Sequence, residues 1–100
     1  MRNFIKYLPE NVRMLVSVNS HDTIDLVSIE FRASNLNAWT ECACLSFVGS
    51  EKCVTTHFVF DTMNINQLTY VSLASNIANM IHGQLLSNVD IDGLEEVNND

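Results

Sequence analysis

Between Asp61 and Asp90 the chain runs for 28 residues without a Lys, Arg, Asp or Glu. Inside that run the apolar residues return every three or four positions. Leu68, Val71, Ala74, Ala78, Ile81 and Leu85 form one stripe, widened by Tyr70, Leu73, Ile77 and Met80, and this period predicts an amphipathic helix. Asn64 followed by Gln67 fits a capping box, and Met63 stands where it can staple to Leu68, so the helix is expected to start near Ile65. Gly83 offers a left-handed stop, with His82 near the negative end of the helix dipole; a helix running on to Leu86 is the alternative. An apolar stripe of this length needs a surface to cover.

The preceding residues supply one. From Arg13 to Phe60 apolar side chains recur mostly at every second position, the period of a half-buried strand. Met14, Val16 and Val18 share a side, Asn19-Ser20-His21-Asp22 has turn chemistry, and Thr23 to Ala33 returns as a second strand. In that strand Ile24 and Leu26 sit on one parity while Val27, Ile29 and Phe31 sit on the other, so either a bulge lies near Leu26 or both faces are apolar. After a connection at Ser34-Asn35-Leu36-Asn37, Trp39–Val48 and Cys53–Asp61 flank Gly49-Ser50-Glu51-Lys52, a second hairpin signal. If Gly49 faces Lys52, then Val48 faces Cys53 and Cys44 faces His57. Ala43, Leu45 and Phe47 would then join Val54, Phe58 and Phe60 in a patch for the helix to cover, leaving Thr40, Cys42, Cys44, Ser46, Thr55 and His57 on the opposite, uncharged face.

These elements predict a single α+β domain over residues 1–88: a four-stranded antiparallel sheet of two hairpins, covered on one face by the C-terminal helix. Phe4–Leu8 is either an extra edge strand or a short helical turn, and Pro9 ends it in both cases. Residues 89–100, with five acids among the last eleven positions, are expected to form a flexible acidic tail or, alternatively, a docking segment steered toward basic residues.

Charge narrows the classes of function. The formal net charge is -7, which opposes direct binding to nucleic acid, and neither a membrane span nor a signal-peptide core is present. Three cysteines, an odd number, suit free thiols in a reducing cytoplasm. Arg2, Lys6, Arg13, Arg32 and Lys52 all lie in the first 52 residues, which sum to -1, whereas the remainder sums to -6. That asymmetry favours a basic partner surface, such as a groove that ordinarily holds nucleic acid, or simply solubility.

Candidate chemistry is sparse. Cys42, Cys44, Cys53 and His57 have the softness of zinc ligands but not the spacing, since zinc knuckles draw two ligands from one tight turn. Cys44 opposite His57 would allow an imidazole to activate a thiol, but no adjoining glycine-rich turn or helix start supplies an oxyanion hole. His21 and His82 read as solvated or capping side chains. Motifs for phosphate loops, dinucleotide folds, zincins and hydrolase elbows are missing. No metal, cofactor or catalytic residue is therefore assigned, and a non-enzymatic role is expected. The neutral helix face, presenting Asn66, Thr69, Ser72, Asn76 and Asn79, can be buried against another chain at little desolvation cost.

Phe4-Ile5-Lys6-Tyr7-Leu8 followed by Met14-Leu15-Val16-Ser17-Val18 resembles the start of a small family of phage-encoded anti-CRISPR proteins that act on type I-F surveillance complexes. Phe60-Asp61-Thr62 leading into Gln67-Leu68 is also similar. The resemblance covers about a fifth of the chain and implies a four-stranded antiparallel sheet with helices. It also implies an inhibitor in the host cytoplasm that binds Cas proteins and blocks DNA binding or nuclease recruitment. It carries Tyr7 over as a contact residue and aligns Glu30 loosely with a second; the family's other contact tyrosine falls near Asn19, which departs from the pattern. With Asn76 and Asn79 of the neutral helix face and Asp90, Asp92, Glu95 and Glu96 of the acidic terminus, Tyr7 and Glu30 make up the expected partner-binding residues. A homo-oligomeric structural or accessory subunit, such as a homodimer, is the alternative, and a thiol enzyme using Cys44 and His57 is the third.

Overall fold

The computed structural model describes residues 1–33, 37–57 and 59–97. Ser34, Asn35 and Leu36 of the expected connection, Phe58 of the expected apolar patch, the Phe60 side chain and Asp100 of the acidic terminus lie outside the described residues. The architecture is α+β: one open antiparallel sheet with one α-helix on a single face. The strands are β1 (Arg2–Leu8), β2 (Val12–Val18), β3 (Ile24–Phe31), β4 (Thr40–Val48), β5 (Glu51–Thr56) and β6 (Glu95–Val97), and the helix is α1 (Ile65–Ile81). Their spatial order is β5-β4-β3-β2-β1-β6.

The sheet therefore has six strands, not the expected four. Phe4–Leu8 belongs to a full strand, because Phe4 and Leu8 alternate with more exposed neighbours and bury against Val16 and Val12. The sixth strand comes from the acidic C-terminal stretch. Ile91 and Leu94 pack against the core, and Glu95–Val97 then pair with Asn3–Ile5. Their period is too short and too interrupted by acids to read as a strand in the sequence.

Across each row of the sheet, side chains of paired residues share a face. Phe4, Val16, Val27 and Leu45 form one such row, and Met14, Ile29 and Ala43 the next. All are buried. Two bulges keep that face apolar. Between Ser17 and Val18 the register with β3 shifts by one, leaving Asp25 unpaired, so Ile24 returns to the side of Val27 and the two-parity pattern resolves as a bulge beside Leu26. A second shift between Ile29 and Glu30 makes Cys42 the extra residue. Its thiol is fully buried and donates to the Ile29 carbonyl, 3.3 Å away. Cys42 is consequently interior, and Thr40 pairs with buried Phe31; neither lies on the open face as expected.

The β4–β5 turn falls one residue earlier than expected, at Gly49-Ser50 instead of Ser50-Glu51, which moves the pairing register by two. Val48 pairs with Glu51, Ser46 with Cys53 and Cys44 with Thr55. Gly49, at φ 63°, occupies the first central position of the two-residue turn, where a type II′ turn demands a positive φ. A shift of two preserves every side chain's face, so Leu45 and Val54 still share the helix side.

Helix α1 begins at Ile65, behind an Asn64–Gln67 capping box. Val71, Ala74, Ala78 and Ile81 bury on β2, β3 and β4, and the two alanines let the backbone approach the sheet closely. Leu73 and Met80, expected to widen the buried stripe, are instead exposed. His82, expected to be solvated or a simple cap, is fully buried: its ring stacks on Phe47 with centroids 4.4 Å apart, and Nε2 lies 3.2 Å from the Asp25 carbonyl. Gly83 reverses the chain at φ 87°, where an added Cβ would meet Phe47 at 3.3 Å. Backbone bonds from Gly83 to Ile24 and from Ile24 to Gln84 then dock the end of the helix on β3.

Gln67 locks the other end. Its Nε2 donates to the carbonyls of Glu10 and Arg32, 3.0 Å each, while its backbone N–H donates to Asn64 Oδ1 at 2.8 Å. Replacing Gln67 by Leu keeps the bulk and orphans two carbonyls. The expected loss is about 2–4 kcal/mol of unfolding free energy by urea titration, with secondary structure retained.

Candidate binding surface on the open sheet face

Helix α1 covers one face of the sheet and leaves the other open. Tyr7, Arg13 and Glu30 are register neighbours across that open face, Tyr7 opposite Arg13 and Arg13 opposite Glu30. Tyr7 is 59% exposed. The Arg13 guanidinium bonds Glu30 Oε1 at 2.6 Å, and both side chains are mostly shielded from solvent. Trp39, in the approach to β4, lies against the same cluster: the guanidinium carbons of Arg13 and Arg32 stand 4.2 and 4.9 Å from its ring centroid. The Tyr7 ring tilts toward it at 6.1 Å. Arg32 is held in turn by Asn11, through Oδ1 and through a backbone bond, both at 2.9 Å. Cation–π stacking and ion pairing thus pre-position two aromatic rings and two guanidinium groups at one corner.

Further across, Glu30 sits directly opposite Glu41, an arrangement that like charges oppose. The conflict is relieved by separate partners. Glu30 takes Arg13, while Glu41 accepts from the Ser28 hydroxyl at 2.6 Å and contacts His57 Nε2 at 2.9 Å. The Ser28 hydrogen bond, then those of His57, hold the Glu41 carboxyl below the usual carboxylate range. The open face is therefore not the uncharged surface expected from Cys44, Ser46, Thr55 and His57. A charged row runs across it.

The expected contact residues separate onto different surfaces. Tyr7 and Glu30 belong to the open face, where Glu30 is engaged by Arg13 and serves to hold it. Asn76 and Asn79 line a groove of about 290 Å³ between α1 and the β4–β5 hairpin, floored by Ala43, Leu45 and Val54. Asp90 and Asp92 line a cavity of about 410 Å³ with Lys6, Ile77 and Met80. The Lys6 amine donates to the Asp92 carbonyl. Glu95 pairs with Ile5, and Glu96 with Phe4. Glu96 binds Arg2 at 2.9 Å, which keeps its carboxyl below the ordinary range. Trp39, Arg13 and Arg32 carried no sequence signal as a site. Strand alternation put Arg13 on the face away from Met14, but only the β1–β2 register places it against Tyr7, and Trp39 lies outside any strand.

The thiol arrangement does not assemble. Cys44 faces Thr55, and His57 faces Glu41. Burial pushes the Cys44 thiol up and that of Cys42 to about 11, the reverse of nucleophilic activation. Among the described residues no group of three His, Cys, Asp or Glu side chains stands together as a metal site, and no described helix is long and apolar enough to cross a membrane. Compared with protein-family models, curated proteins and solved structures, the chain matches none.

Two outcomes follow from the titrating groups. Because Glu41 has a depressed folded pKa, its contribution to stability is complete above the unfolded value, near 4.5, and is lost as pH falls through the folded one. Ser28→Ala should move the Glu41 carboxyl titration upward by NMR and shrink that acid-dependent loss. Alkylation followed against pH should leave Cys42 unmodified in the folded chain near neutrality, and Cys44 should lack a low-pH reactive limb.

Proposed function

We propose that this protein is a non-enzymatic inhibitor that works by occupying another protein's surface, with the Tyr7–Trp39 corner as its contact. The observation that carries the reading is the exposed Tyr7 ring set beside Trp39 and two arginine side chains on a sheet face that no helix covers. Tyr, Trp and Arg dominate the energetics of protein interfaces, and groups already held in place lose little freedom on binding. Glu30 and Asn11 hold the two guanidinium groups, so the corner is largely pre-organised.

The choice of partner rests on charge and on resemblance. A net charge of -7 favours a basic protein surface, such as one that handles nucleic acid. The likeness of Phe4–Leu8 to anti-CRISPR proteins, with Tyr7 as the residue carried over, makes the Cas protein backbone of a type I surveillance complex the partner to test. On this reading the protein, in the cytoplasm of a phage-infected host, blocks target DNA binding or nuclease recruitment by steric occlusion.

The test is stoichiometric capture. Purified type I surveillance complexes should retain the protein on size-exclusion chromatography and lose affinity for target DNA in its presence. Tyr7→Ala, with unchanged thermal melting, should weaken binding by roughly 30-fold, the scale of an interface hot spot. Failure of every such complex to retain the protein removes the Cas assignment. Retention unaffected by Tyr7→Ala removes the corner as its contact.

A further inference from the structure

The two edges of the sheet are unlike. Strand β6 is three residues long and carries Glu95 and Glu96, charges of the kind that blunt an edge against pairing. Strand β5 is six residues long, its charges Glu51 and Lys52 sit at the turn end, and Cys53-Val54-Thr55-Thr56 follow with neither charge nor proline.

The outward-facing backbone groups of β5 can be assigned. His57 donates its backbone N–H to the Cys42 carbonyl at 3.0 Å, in line with the Cys44–Thr55 and Ser46–Cys53 pairs. By alternation Thr55, Cys53 and Glu51 also direct their N–H and C=O groups at β4, while Lys52, Val54 and Thr56 direct theirs away. Beside this edge, on the helix side, lies the groove floored by Leu45 and Val54, with Ser72, Ser75, Asn76 and Asn79 on its far wall. Val54 is 60% exposed there.

We infer that a second copy of this chain occupies this edge, β5 pairing antiparallel with β5 of its partner about a two-fold axis through Val54, to give one continuous twelve-stranded sheet. Only registers that match outward groups with outward groups close the ladder, and this one places Lys52 opposite Thr56 at both ends and Val54 against itself at the centre. The charge pattern suits the same register, since neither Glu51 nor Lys52 meets its own equivalent across the axis and the residue opposite Glu51 is His57 of the other copy rather than an acid. The helix walls brought toward one another carry no charge, so the acidity of the chain does not oppose the contact. The open face with Tyr7 stays free, and the dimer presents two such corners on one side of a single sheet.

Sedimentation velocity over a wide concentration series should show a reversible monomer–dimer equilibrium. Val54→Lys, which sets like charges directly across the axis, should weaken it at least about tenfold with the melting temperature of the monomer preserved. Register has its own readout. Cys53 and Thr55 of the other copy form a non-hydrogen-bonded pair, with Cα atoms about 4.5 Å apart, within disulfide reach. In a Cys44→Ser background, Thr55→Cys should therefore give a disulfide-linked dimer under an added oxidant, joined through position 55 and Cys53. A chain that remains monomeric throughout the series overturns the inference. So does a dimer that ignores Val54→Lys, or one lost instead with Met80→Lys, which would place the contact on the outer face of the helix.

Discussion

The two layers are held in alignment by a buried amide. Gln67 stands at the first turn of the helix, and both of its side-chain N–H groups are used on carbonyls that no strand satisfies: one in the β1–β2 turn, the other just past β3. A partly shielded carbonyl left without a donor is costly, so the helix start is fixed to those two points of the sheet. From there Val71, Ala74, Ala78 and Ile81 descend along β2 and β3, and His82 and Gly83 fasten the far end at the start of β3. The line of the helix, and hence which strands it covers and which it leaves open, follows from these two anchorages.

Because α1 lies over the middle strands, the molecule has two unequal exposed regions. The open face is ordered by charge. Two carboxylates brought together by register are each drawn off by a different neighbour, and the arginine that answers one of them doubles as a platform for Trp39. The groove beside β5 is ordered by the absence of charge, since its floor is aliphatic and its wall is serine and asparagine. A surface of the first kind suits a contact of fixed geometry with a dissimilar, charged partner. The second suits pairing between like edges, where little charge has to be taken out of water.

Much of this was legible in the sequence, for identifiable reasons. The α1 boundaries follow from the capping box and from Gly83, which are local chemistry. The β2–β3 hairpin and the assignment of faces on β5 and on β4 from Ala43 onward follow from alternation, which a two-residue register shift leaves intact. Details that depend on pairing were not legible. Alternation alone places Cys42 on the open face, because the bulge that turns it inward exists only in the β3–β4 pairing. The Cys44–His57 pair vanished with the turn register. β6 is a strand by its pairing with β1 and not by any pattern of its own. At the candidate site the family resemblance points to Tyr7, whereas Trp39 and its arginines come together only in three dimensions.

The β1–β6 pairing has a consequence for the order of assembly. Strand β1 lies next to β2 in sequence and can pair with it locally, whereas its outer edge can receive a partner only once Glu95–Val97 have been made. Until then the nascent sheet exposes two bare margins rather than one, at a stage when neighbouring nascent chains stand close by. Closure joins residues 90 to 94 positions apart, a slow search for a loop that long. Glu95 and Glu96 within that strand repel the same strand of an adjacent chain, while Arg2 on β1 draws in its own Glu96.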